Sequence, residues 1–206
     1  MSRSLLIAVL AATFLVANPG AADAQGRLDP RRAARSLIDA SVGYALVGGD
    51  LGDSLKAGPM IEASYQYQLE NVPLRLGAGI GYSRHGLQDP AGGEPVSGSA
   101  NKVSLMALGT LLLFSDETEM IPYVQARVGY TRMFWNSNGV DSKRSGLELG
   151  ALVGVDLPIS ENVSIDVSGL FAWVNGGNAT VGGFTLPDTS LSGSLFSLRA
   201  GAFFFF

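Results

Sequence analysis

The chain has no cysteine among its 206 residues and a single histidine, His85. Without cysteine there is no disulfide stapling, no thiol chemistry and no Cys-based metal centre, and one histidine among dispersed carboxylates offers no ligand set for a transition metal. Neither metal nor cofactor is expected. Lysine is scarce, at Lys56, Lys102 and Lys143 only, whereas a soluble exported domain of this size would carry charge over its whole surface. The formal net charge of −4 provides no basic face and argues against a nucleic-acid partner. Beyond the N-terminus no apolar run reaches the ~20 residues of a membrane helix, so a membrane span would have to be built from strands.

What is present begins with MSRSLLIAVLAATFLVANPGAADAQ: a basic start at Arg3, an apolar stretch from Leu5 to Ala17, and small residues ending Ala22-Asp23-Ala24. That is the layout of a cleaved secretory signal peptide. The expected organisation is a signal peptide at 1–24, a flexible basic segment at 25–36 containing Arg27, Arg31, Arg32 and Arg35, and one barrel domain at 37–206. Removing Arg3 and Asp23 leaves the charge balance unchanged at −4, and the remaining length suits a single domain.

The mature chain reads with a period of two. In GLELGALVGVDL, Leu147, Leu149, Ala151, Val153, Val155 and Leu157 oppose Glu148, Gly150, Leu152, Gly154 and Asp156; in VSIDVSGLFAWV, Val163, Ile165, Val167, Phe171 and Trp173 oppose Ser164, Asp166, Ser168 and Ala172. Comparable segments run from Ile38 to Val47, Met60 to Leu69, Leu74 to His85, Tyr123 to Trp135 and through the tail LRAGAFFFF, while Lys102 to Phe114 is apolar on both sides. The connections near residues 70, 118 and 160 are short. Those at Val47 to Lys56, Gly86 to Asn101, Asn136 to Ser145 and Asn175 to Ser192 are longer and rich in Gly, Ser and Asp. The expected fold is all-β: an eight-stranded antiparallel up-and-down transmembrane β-barrel with short periplasmic turns and longer extracellular loops.

The polar face decides which side looks outward. A soluble barrel, such as a lipocalin-like binder, would carry Lys and Glu on nearly every strand of that face; here Gly and Ser dominate, with isolated Asp39, Glu62, Arg75, Arg127, Glu148, Asp156, Asp166 and Arg199. Small residues with a few charges of both signs fit a confined lumen, where those eight would pair across the interior. Asp156 and Asp166 are expected to face each other across a hairpin with Arg199 as the cation between them. GAGIG, Gly77 to Gly81, lies within a strand and is read as room for lumen side chains, opposite arginines, rather than as a nucleotide loop. On the apolar face, Tyr44, Tyr82, Tyr130, Phe134, Phe171 and Trp173 fall toward the long-loop ends and Tyr67, Phe204 and Phe206 toward the short-turn ends, the two levels at which membrane interfaces select aromatics.

The signal peptide, the eight alternating segments, the loop rhythm and the last strand ending in Phe206 together resemble the small Gram-negative outer-membrane β-barrel proteins of the OmpA/OmpX type, over essentially the whole mature chain. The resemblance implies residence in the cell outer membrane among its lipids and lipopolysaccharide, and a non-enzymatic structural or surface role through extracellular loops and any ligand they take. It also implies insertion by the barrel-assembly machinery, for which Leu198, Ala200, Ala202, Phe204 and Phe206 match the alternating C-terminal signal. Besides a soluble lipocalin-like binder, two further readings stay open. One is a narrow channel for small solutes. The other is a lipid A-modifying barrel enzyme built on Ser83 and His85, against which stands the lumenal parity of both residues. Arg84 and Arg132, on the apolar face near the outer rim, are candidates for lipopolysaccharide phosphates.

Overall fold

A computed structural model describes residues 36–69, 72–89, 97–113, 120–160, 162–187 and 189–206. The signal peptide and the arginines of the basic segment lie outside the described residues. Eight long strands account for most of the rest: β1 (Ser36–Gly49), β2 (Gly58–Gln68), β3 (Leu74–Gly86), β4 (Gly98–Leu112), β5 (Ile121–Ser137), β6 (Val140–Pro158), β7 (Val163–Asn175) and, last in the chain, β10 (Ser192–Phe205). A five-residue helix, α1 (Asp50–Ser54), follows β1, and the two-residue strands β8 (Thr180–Val181) and β9 (Phe184–Thr185) lie between β7 and β10.

Each long strand pairs antiparallel with its sequence neighbours, and β10 closes the cylinder against β1, from Leu37 opposite Phe205 to Gly49 opposite Gly193. Closure leaves no edge among the long strands, the condition for a sheet to stand in hydrocarbon. The C-terminal residue takes part: the Phe206 amide donates to the Ser36 carbonyl at 3.1 Å. Alternation sorts the side chains. Val42, Ile61, Ile80, Leu105, Val153, Val167 and Leu198 are more than half exposed on the outer wall, while Gln66, Thr110, Glu148, Asp156, Asp166 and Ser197 are fully buried inside. An apolar exterior around a polar interior inverts a soluble barrel. For β4, apolar on both sides, the register puts Ala100, Ser104, Met106, Leu108, Thr110 and Leu112 inside and Val103 and Leu105 outside.

Two connections differ from the sequence reading. Asn136 to Ser145 is no loop: β5 and β6 continue as one hairpin up to a two-residue turn at Asn138-Gly139, with Ser137 opposite Val140. Both turn residues have positive φ, 49° and 81°, the type I′ geometry for which Asn-Gly is the favoured pair. Polar composition masked a tight-turn signal. The first long connection is likewise structured, since β1 runs to Gly49 and α1 follows directly. β1 also begins at Ser36, one residue before the expected boundary. Above β7, the β8–β9 hairpin extends the sheet, Lys143 and Ser142 of β6 pairing with Thr180 and Val181.

Candidate functional site

The lumen is filled in three layers. At the long-loop mouth, α1 lies across the opening, and Leu51 and Leu55 turn inward into a buried apolar cluster that includes Leu87, Ala100, Met133, Val174 and Leu195. Gly193 makes that approach possible, because a Cβ there would lie 2.7 Å from the Leu51 Cβ. The lid is stitched to the base of the next loop by the Lys56 amide on the Gly86 carbonyl (2.8 Å), the Gln88 amide on the Ser54 carbonyl (2.9 Å) and a Lys56–Asp89 ion pair at 3.0 Å. Beneath it, His85 is held between the Lys56 carbonyl, 3.1 Å from Nδ1, and Ser83 Oγ, 2.9 Å from Nε2. The carbonyl can only accept, so Nδ1 carries the proton and the Ser83 hydroxyl donates to Nε2. The pair has a carbonyl where a catalytic triad would have an orienting carboxylate, and both residues are buried facing the lumen rather than the acyl chains.

The middle layer is ionic. Glu62 on β2 takes two guanidiniums, Arg127 of β5 at 2.7 Å and Arg199 of β10 at 3.1 Å. Arg127 also reaches Glu148 of β6 at 3.7 Å, and Arg199 reaches Asp39 of β1 at 3.7 Å while donating to Ser41 Oγ at 2.6 Å. Lys102 of β4 pairs with Glu148, whose carboxylate accepts a further bond from Ser104 at 2.8 Å. Six strands are thus tied across the lumen, each charge compensated at a depth where an isolated one would be prohibitive. The glycines that make room for the arginines are Gly150, where a Cβ would lie 2.9 Å from Arg127 Cγ, and Gly43, 3.0 Å from Arg199 Cγ. Of the GAGIG glycines, Gly77 instead faces Gln66, and Gly81 faces Met106 and Glu62. One cavity of about 20 Å³ beside this network is lined by Glu62, Ser83, Lys102, Ser104 and Glu148 among others, room for roughly one water.

The third layer closes the short-turn end. Asp156 and Asp166 are cross-strand partners; Arg199 acts on Asp166 through its charge, but its hydrogen bonds and ion pairs do not join the two. It is committed to Glu62, Asp39 and Ser41 in the layer above. Asp166 is satisfied by the Tyr123 hydroxyl at 2.5 Å and by Ser168 at 2.9 Å, and the cation interacting with Asp156 is Arg75. Arg75 donates to Gln68 at 3.1 Å and its guanidinium lies 5.7 and 5.5 Å from the Phe203 and Phe205 ring centroids. The eight charged residues of the sequence reading therefore divide into two groups. Asp39, Glu62, Arg127, Glu148 and Arg199 lie in the middle, and Arg75, Asp156 and Asp166 lie below. Lys102, Ser104 and Tyr123 were missed, although each shares the inward parity of its strand.

Outside, Tyr44, Tyr82, Tyr130, Phe134, Phe171 and Trp173 are exposed near the long-loop ends, Phe171 opposite Phe196. Near the short-turn ends Tyr67, Phe204 and Phe206 are exposed, and the Phe206 ring centroid lies 6.4 Å from that of Tyr65. Along the tail Leu198 is exposed on the same outward parity as Ala200, Ala202, Phe204 and Phe206, while Phe203 and Phe205 are buried as the floor of the lumen.

No curated protein matches the sequence. Among solved structures, the barrel is similar to Neisserial surface protein A (22% identity, 83% of this chain and 97% of that one covered, TM-score 0.62). It is also similar to the outer membrane protein OprG of Pseudomonas aeruginosa (14% identity, 84% and 96% covered, TM-score 0.56). Both likenesses bear on the fold. The family model for the outer membrane protein beta-barrel domain matches residues 7–204, and with the closed eight-stranded barrel and apolar outer wall already in view, the chain belongs to that family of Gram-negative outer-membrane proteins.

Proposed function

We propose that this protein is a non-enzymatic surface component of the outer membrane, a sealed barrel that anchors a structured outer end for contact with ligands outside the cell. The observation carrying this reading is the layered lumen: an apolar lid at Leu51 and Leu55, paired charges through the middle and an aromatic floor at Phe203 and Phe205. In this reading the signal peptide at 1–24 directs export and is removed. Leu198, Ala200, Ala202, Phe204 and Phe206 present the assembly signal to the barrel-assembly machinery. The exposed aromatics hold the barrel at the two lipid interfaces, and the outer rim, with Arg84 and Arg132, meets lipopolysaccharide. The presented surface is α1, the tip of the β5–β6 hairpin and the β8–β9 hairpin, where Val140 and Phe184 are exposed at 58% and 78%. The test joins two measurements on the folded barrel in vesicles: solute efflux, expected to match protein-free vesicles, and lipid A mass, expected to stay unchanged. Steady solute flux would favour the narrow channel; a mass change lost in His85→Ala would favour the enzyme.

A further inference from the structure

The outer wall carries cations in one sector only. Among the described strand residues, Arg75, Arg127 and Arg199 are buried in the lumen, Lys102 is paired there with Glu148, and Arg144 is turned toward Trp135 and the carbonyls of Gly177 and Thr189. Arg84 of β3, Arg132 of β5 and Lys143 of β6 are exposed and face outward. Strand register makes them neighbours. Arg84 is opposite Asn101, Asn101 opposite Phe134, and Phe134 opposite Lys143; Arg132 is two residues along β5 from Phe134 on the same face. At ~4.8 Å between strands the trio fits within a patch ~15 Å across.

The patch is ordered by its own contacts. The Arg132 guanidinium stacks over the Phe134 ring with 5.4 Å to the centroid, which fixes its direction at modest cost. Tyr82 donates its hydroxyl to Asn101 Oδ1 at 2.7 Å, leaving the Asn101 NH2 as an outward donor between Arg84 and Lys143. No carboxylate is ion-paired with the three cations among the described residues. Asp141, two residues from Lys143 on the same face, accepts from Asn136 at 2.7 Å.

Position selects the partner. The patch stands just above Tyr82 and Tyr130, where the hydrocarbon-facing wall ends at the outer side, so what lies against it is the headgroup layer of the outer leaflet. Two guanidiniums, an ammonium and an amide on one face suit phosphate oxygens, which take paired N–H donors from arginine. We propose that this rim patch on β3, β4, β5 and β6 is a docking subsite for the phosphorylated headgroup of one lipopolysaccharide molecule, held on this flank of the barrel and not on the β7–β10–β1–β2 flank. The proposal rests on the reading of the protein as a surface component and adds the lipid and the strands that hold it.

The experiment compares folded wild-type protein with the triple variant Arg84→Gln/Arg132→Gln/Lys143→Gln and with Lys56→Gln, which removes a cation of the lid loop. Binding is measured to lipopolysaccharide, to the same lipopolysaccharide after phosphatase treatment, and to phosphatidylglycerol vesicles. Dephosphorylation and the triple variant should each weaken lipopolysaccharide binding at least about tenfold, with Lys56→Gln unchanged and phosphatidylglycerol bound weakly and equally by all. Undiminished binding by the triple variant, equal affinity for phosphatidylglycerol, or displacement of lipopolysaccharide by millimolar inorganic phosphate would each overturn it. If the triple variant does not fold, Arg132→Gln and Arg132→Lys replace it, the first losing several-fold in affinity and the second recovering part of the loss. Solute efflux in the same preparations tests the sealed-barrel reading separately, so the two can fail independently.

Discussion

Glu62 holds two arginines at once, Arg127 at 2.7 Å and Arg199 at 3.1 Å, with all three side chains buried. Glu62→Gln leaves two guanidiniums facing a neutral amide and is expected to lower unfolding stability by ~3–5 kcal/mol, the scale for breaking a buried pair from one side, read from the urea midpoint of the folded band on an unheated gel. Tyr123→Phe removes the bond to Asp166 and should cost less, about 1–3 kcal/mol. Parity in the sequence identifies which residues share a face; it does not identify their partners, because pairing depends on depth and side-chain reach across the lumen. Arg199 shows the difference. Its strand lies beside β7 and so invited a role between Asp156 and Asp166, yet its reach carries it to Glu62 and Asp39 on the other side. Lys102 hid in a strand that reads as apolar on both faces.

The tail strand separates two roles by alternate residues. Phe205 is buried in the floor beside Arg75, and Phe206 is exposed on the outer wall. Phe205→Asp is expected to lower the urea midpoint of whatever protein folds, whereas Phe206→Asp should cut the yield of folded barrel in cells and leave the midpoint of the surviving fraction near wild type. Equal loss of yield from both would contradict the assembly role proposed for the outward residues. The β5–β6 hairpin offers a backbone test: a Cβ on Gly139 would meet nothing within 4 Å, yet its φ is 81°, so Gly139→Ala should cost only the left-handed strain of ~1–2 kcal/mol. Strands with one apolar and one polar face were legible in advance, as were the short turns. The hairpin tip and α1 were not, since Gly, Asn, Asp and Ser serve equally in long loops, tight turns and helix starts.

At the scale of the whole molecule, an apolar exterior, a closed sheet and a charged interior are one solution to one constraint: every backbone and side-chain polar group at membrane depth must find its partner within the protein. Eight strands leave an interior narrow enough for side chains to occupy, and here buried side chains line it from the lid at Leu51 to the floor at Phe205. The lid is the thinner seal. Leu51→Asp/Leu55→Asp puts two carboxylates where the mouth is packed with apolar side chains and is expected to free α1, seen as faster amide exchange at Lys56 and Gln88, whose bonds tie it down. The sealed barrel itself is tested by single-channel recording of the wild-type protein in planar bilayers, after heat-modifiable gel mobility has shown it folded. A bilayer that stays silent under voltage is the predicted result; regular, stable conductance steps from the folded protein would contradict it.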